Sequence, residues 1–101
     1  MRHESTFTSL AVIEAIQRLG QRIRLARKAR KQSLSQLEQI CRIHRTTLGR
    51  LERGDPGVSL GVFLTVLEAL QELPELELVL SHPETPKHKR AVTKPVLERD
   101  F

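Results

Sequence analysis

The sequence predicts an all-α fold, a compact domain of four to five helices with one C-terminal β-strand. The apolar residues are mainly aliphatic, with three Phe and no Trp or Tyr, which favours a helical core. Within residues 9–74 apolar side chains recur at helical spacing, and serines precede the repeats where helix caps are needed. A chain of 101 residues has room for one such core, because small domains bury only about 60–70% of their unfolded surface.

The first predicted helix follows residues 1–8, which are expected to be disordered. From Leu10 to Ala29 apolar residues recur at alternating steps of four and three, and Thr8 or Ser9 can cap the helix. Gly20 interrupts this pattern at a cost of about 1 kcal/mol relative to Ala. One long helix and two helices meeting near residue 20 are both possible, and a short leading helix continuous with a second is favoured.

Two short helices are predicted next. Ser33 is placed to cap a helix from Leu34 to about Cys41. A short connection then leads to a helix over residues 45–53, and Gly54 is a natural stop. The sequence therefore predicts two short helices joined by a tight turn.

A fourth main helix should close the core. Residues 54–57 read Gly-Asp-Pro-Gly and predict a loop, after which Ser59 can cap a helix from Leu60 to about Gln71. This helix carries a wide apolar stripe. Pro74 is expected to end it.

The segment over residues 75–81 alternates apolar and other residues at the period of a strand, through Leu76, Leu78 and Leu80. The sequence contains no second strand to pair with it. The three leucines are therefore predicted to form a dimerisation strand that pairs with a second copy across a two-fold axis. The alternative is a short extra helical turn. Residues 82–101, with three prolines and a basic group, predict a flexible tail.

The charge distribution points to a polyanionic partner. The 17 Lys and Arg exceed the 12 Asp and Glu to give a net charge of +5, and six of the basic residues lie between residues 22 and 31. Such a field suits phosphate polymers, because cations that neutralise phosphates release condensed counterions. The alternatives are a solvated helix face, and a basic amphipathic helix held by a membrane surface or a partner's groove.

Other classes of site find no support in the sequence. Cys41 is the only cysteine, and the four histidines lack the spacing of metal ligands or of a nucleophile's partners. No metal, cofactor or enzymatic activity is expected. The sequence has no apolar run of the signal-peptide or membrane-spanning kind, so a cytoplasmic protein, at the nucleoid when bound to DNA, is expected.

Two short helices with a tight turn can place the second helix in the DNA major groove, with its N-terminal residues at the base edges. This arrangement predicts a set of DNA-contacting residues, drawn from that helix, its approach and the helices before it. They are His44, Arg45, Thr46, Thr47, Arg50, Gln36, Lys28 and Arg53.

Residues 19–71 resemble Xre/Cro-type helix-turn-helix regulators, and the most specific motif is Leu-Glu-Arg-Gly at residues 51–54. The resemblance implies a structural ion pair between Arg27 and Glu52 that ties the first helix to the recognition helix. The chain departs from the family's usual residues, a Gln, a small residue and a Gly, at Leu34, Glu38 and Arg42. The last two are four residues apart on a helix and are expected to pair.

The alternating segment after the last helix narrows the resemblance to the Hip-type antitoxins. That resemblance implies a homodimer that represses its own operon through an inverted-repeat operator. It also implies a kinase-like toxin as partner, and a third small protein in some arrangements. A stand-alone Xre-type regulator and a protein-interaction module without operator binding are the alternatives.

Overall fold

The computed structural model describes residues 8–86. The described chain is helical throughout its regular structure, which confirms the predicted all-α domain of four to five helices. In chain order the helices are α1 (Leu10–Ala29), α2 (Leu34–Cys41), α3 (Arg45–Glu52), α4 (Leu60–Ala69) and α5 (Leu73–Leu76). The predictions for residues 1–7 and 87–101 lie outside the described residues.

Three serines begin three of these helices, as their positions in the sequence predict. The hydroxyls of Ser9, Ser33 and Ser59 each accept a hydrogen bond from the backbone amide three residues on, at 3.1 to 3.2 Å. Ser33 also forms a capping box, because its own amide donates to the Gln36 side-chain oxygen at 2.7 Å. Each cap stabilises its helix by about 1 kcal/mol.

α1 is one continuous helix, and Gly20 lies buried within it. A Cβ at this position would lie 2.6 Å from the Leu51 carbonyl oxygen and 2.7 Å from that of Glu52. Real Cβ atoms do not approach backbone oxygens so closely. The glycine therefore allows α1 to pass directly against the end of α3, which offsets its cost to the helix.

The core lies where α1, α2, α3 and α4 meet. α1 packs on α3, and α2 packs on both α3 and α4. The buried apolar side chains come from all four helices, with Leu70 just beyond the end of α4. They are Ile23, Leu37, Leu48, Leu51, Val66, Leu67 and Leu70. Burying each such side chain contributes about 1.5–3 kcal/mol, so the short helices α2 and α3 are held by packing.

The end of α4 differs from the prediction. The helix stops at Ala69 rather than near Gln71, and Gln71 has a left-handed backbone with φ 64°. Pro74 lies in the first turn of α5 and does not terminate α4. Proline fits there because the first-turn amides of a helix have no intrahelical acceptor.

The predicted dimerisation strand over residues 75–81 is wrong for the described chain. α5 ends at Leu76, and turns follow through Leu80. The amides of Leu78 and Val79 donate to carbonyls three residues back, at 3.2 and 3.0 Å. A lone strand would leave these groups without a partner, whereas helical turns satisfy them locally. The alternative interpretation, an extra helical turn, matches the structure.

Candidate nucleic-acid interface

The turn between α2 and α3 depends on Arg42. This residue caps α2 with φ 59° and ψ 38°, in the left-handed region that costs a non-glycine residue about 1–2 kcal/mol. Gly, which the resemblance implies at this position, would adopt the conformation without that cost. The Arg42 amide donates to the Glu38 carbonyl at 2.8 Å. The side-chain pair expected between these two residues is not formed, because the Glu38 carboxylate faces Arg45 instead.

Arg27 and Glu52 form the ion pair that the resemblance implies. Arg27 Nε lies 2.7 Å from one carboxylate oxygen, and Nη2 donates to the other at 3.0 Å. The third nitrogen donates to the Gln32 carbonyl at 2.8 Å. Hydrogen bonding to Glu52 raises the pKa of Arg27 against the opposing effect of burial. The side chains are 9% and 6% exposed, so this pair and Gly20 together fix α3 on α1.

The outward face of α3 lies opposite its buried leucines. Arg45, Thr46 and Arg53 are exposed, and the half-exposed Gly49 lies between them at helical spacing. A Cβ at Gly49 would meet the Arg53 guanidinium at 3.2 Å. Gly49 therefore contributes no side chain to the middle of the face, and the Arg53 guanidinium lies against this position, while Arg45 lies at the N-terminal end.

His44 serves as the N-cap of α3. Its Nδ1 accepts a hydrogen bond from the Thr46 amide at 3.0 Å, which places the imidazole at the start of the helix with Nε2 as its remaining nitrogen. Thr47, by contrast, is only half-exposed on the flank of α3. His44 and Thr46 are thus brought to the outward surface, while Thr47 lies closer to the core.

Arg45 is held by two residues of α2. Its Nη1 donates to the Ser35 hydroxyl at 2.9 Å, and its Nε lies 3.5 Å from a Glu38 carboxylate oxygen. The Arg45 side chain remains 59% exposed. The contacts with α2 therefore orient the guanidinium, which stays accessible to a ligand at the outward face of α3.

Arg50 is engaged by the loop after α3. Its Nε donates to one carboxylate oxygen of Asp55 at 2.7 Å, while the Gly57 amide donates to the other at 2.8 Å. The bond from Arg50, followed by that from Gly57, lowers the pKa of Asp55. Arg50 therefore holds the 54–57 loop against α3. The sequence predicted Arg50 as a base-reading residue and did not predict this contact.

The remaining predicted contact residues lie on the helices before α3. The Gln36 side-chain oxygen is used by the capping box of α2, which leaves its amide nitrogen for an external partner. Lys28 is exposed in the last turn of α1.

Sequence reasoning missed Ser35, Gln39 and Arg42, which line an open polar depression between α2 and α3 together with His44 and Arg45. Their approach to α3 depends on the angle between the two helices. No residue spacing along the chain encodes that angle.

Two other features are absent from residues 8–86. No group of three or more His, Cys, Asp or Glu side chains could hold a metal ion in this range. Among the helices described, none is long and apolar enough to cross a membrane.

Comparison with known proteins identifies the domain. A family described as a helix-turn-helix domain matches residues 18–79, which is more than half of the chain. The chain belongs to the helix-turn-helix domain family. The match covers α1 from its middle through α5 and supports a DNA-binding regulator of the Xre type. No curated protein and no solved structure matches the chain.

Proposed function

We propose that this helix-turn-helix protein is a sequence-specific transcriptional repressor that inserts α3 into the major groove of an operator, within the cytoplasm at the nucleoid. The observation that carries the proposal is the outward face of α3. It presents Arg45, Thr46 and Arg53 around a glycine, and the Arg27–Glu52 pair fixes it on the core.

The dimensions of α3 suit the groove. A helix with its side chains is about 10–12 Å across, and the major groove of B-DNA is about 12 Å wide. Gly49 adds no side chain to the middle of this face, where the Arg53 guanidinium lies instead. At about 1.5 Å per residue, Arg45 and Arg53 are about 12 Å apart along the axis. One end can reach base edges while the other reaches a phosphate.

Further cationic groups extend the proposed interface. Lys28 and Arg24 are exposed on α1, and we assign them to phosphates or to the general positive field. Contacts of this kind position the protein without reading sequence. Sequence is then left to Arg45, which can bind guanine through two N–H groups, and to Thr46, which can offer a hydroxyl and a methyl group.

We propose that the repressor acts as a homodimer, which an apolar surface away from α3 supports. An open groove of about 510 Å³ runs between α1 and α5 and is lined by Leu19, Phe63, Leu76 and Val79 among others. The three residues after Glu77 are also apolar and are 64–70% exposed. A second copy would cover this surface and place two α3 helices on half-sites about 34 Å apart. The operator would then be an inverted repeat.

The antitoxin role stays a prediction. It depended on the strand expected over residues 75–81, where the structure has α5 and turns. Co-expression of the tagged protein with the product of the neighbouring gene tests it. Co-purification of a kinase-like toxin, with or without a third small protein, would support the role, and a stand-alone regulator would purify without either.

Hydroxyl-radical footprinting on the DNA upstream of the protein's own gene tests the proposed function. We expect two protected patches related by two-fold symmetry, with centres about 34 Å apart. A scrambled duplex of equal length is the control. Uniform weak protection of both duplexes would contradict operator binding, and a single asymmetric patch would contradict the homodimer.

A further inference from the structure

The contacts of Arg45 leave part of its guanidinium for a ligand. Of its five N–H groups, one on Nη1 donates to Ser35, and Nε faces Glu38 at 3.5 Å. Within the described chain, the other N–H of Nη1 and both of Nη2 remain. Two nitrogens of one guanidinium suffice for the bidentate contact with guanine O6 and N7.

We propose that Ser35 and Glu38 are positioning residues that orient Arg45 toward one guanine in each half-site. This inference rests on the proposed function, because it assigns the support of a base-reading residue. A long Arg side chain loses rotamer freedom when it binds. Two contacts that already exist in the free protein reduce that loss, so they favour guanine at the position that Arg45 reads.

Glu38 has a second effect because of its charge. Its side chain is 32% exposed beside a face that otherwise carries arginines. A carboxylate there repels phosphates and partly neutralises Arg45, so the guanidinium is less attracted to any phosphate within reach. Glu38 therefore weakens binding to random DNA while it supports the oriented contact. The prediction is that this residue increases discrimination and lowers total affinity.

Binding-site selection from a random duplex library tests the proposal with the full chain. The variants are Arg45→Ala, Glu38→Gln and Ser35→Ala, with Glu14→Gln as a matched loss of one exposed carboxylate near the start of α1, outside the proposed dimer surface. Wild type should select a motif, and R45A should lose preference at one position per half-site, by about 5- to 150-fold. E38Q and S35A should each lower guanine preference at that position several-fold, whereas E14Q should not.

Two further readouts separate orientation from folding. Thermal unfolding followed by circular dichroism should show E38Q and S35A folded like wild type. Ser35→Thr, which keeps the hydroxyl, should restore the guanine preference. Affinity for a random duplex should rise several-fold in E38Q and stay unchanged in S35A, because only the first removes a negative charge.

The possible failures are distinguishable. If wild type selects no motif, the proposed function falls and this inference falls with it. If wild type selects a motif that R45A still selects in full, Arg45 does not read a base, and the inference alone is overturned. It is likewise overturned if R45A loses one position while both E38Q and S35A keep full guanine preference there.

Discussion

Removal of the Glu52 carboxylate should destabilise the domain strongly. Arg27 is 7% exposed, and Glu52→Ala removes the two oxygens that accept hydrogen bonds from its Nε and Nη2. Breaking a buried ion pair from one side costs about 3–5 kcal/mol. Domains of about 80 residues unfold with about 4–12 kcal/mol in total, so the loss is a large part of the stability.

Urea unfolding followed by circular dichroism measures this loss. At about 4–8 °C per kcal/mol for domains of this size, the midpoint of thermal unfolding should also fall by at least about 12 °C. Glu72→Ala is the matched control, because Glu72 pairs with Arg30 at 3.3 Å with both side chains more than a third exposed. Exposed pairs contribute about 0–1 kcal/mol.

A double substitution tests the cause of the effect. Arg27→Met with Glu52→Leu removes both charges and should recover most of the stability, because the cost of E52A arises from the charge left behind. The reasoning would be refuted if E52A stayed within about 1 kcal/mol of wild type, as E72A should. It would also be refuted if the double variant were less stable than E52A.

Three other predictions have definite expected outcomes. Gly20→Ala should destabilise by about 1–3 kcal/mol in urea unfolding, since its Cβ would strike the Leu51 carbonyl at 2.6 Å; Gly61→Ala on the exposed face of α4 should stabilise slightly, and equal effects would contradict the close packing of α1 on α3. Because the pKa of Asp55 is lowered in the folded state, its carboxylate stabilises wild type above the ordinary pKa of Asp, and this stabilisation is lost as pH falls through the folded-state pKa. Asp55→Asn should lack this pH-dependent stabilisation. Melting curves that differ from wild type equally at pH 3 and pH 7 would argue against this. Leu78→Asp with Leu80→Asp places charges on the proposed dimer surface and should give a monomer by sedimentation at micromolar concentration. An intact dimer would show that the interface lies elsewhere.

The sequence predicted the helices well where the signal is local. Ser9, Ser33 and Ser59 stand at helix starts because capping depends on the next three residues only. The apolar spacing of α1 likewise predicts the helix itself, but it predicts the buried face only in part, because Ile23 is buried whereas Val12 and Leu19 are exposed in the described chain. The strand failed for the opposite reason. Alternating leucines describe a strand only if a partner strand exists, and the described chain satisfies its backbone with turns.

The candidate site was predictable as a surface and not as a set of contacts. Arg45 and Thr46 follow from the helix-turn-helix pattern. The Arg50–Asp55 pair and the approach of Glu38 to Arg45 depend on how a loop and two helices fold back on each other. The sequence favoured Arg50 as a reader and Glu38 as a partner of Arg42, because spacing along one helix is visible in a sequence and distance between elements is not.

The central claim is that α3 reads operator bases through Arg45. Fluorescence anisotropy at fixed salt can measure the affinity of wild type and R45A for the footprinted operator and for a scrambled duplex. The account predicts that R45A loses about 1–3 kcal/mol on the operator, with little change on the scrambled duplex. An equal loss on both duplexes would show that Arg45 contributes only charge and would contradict the account.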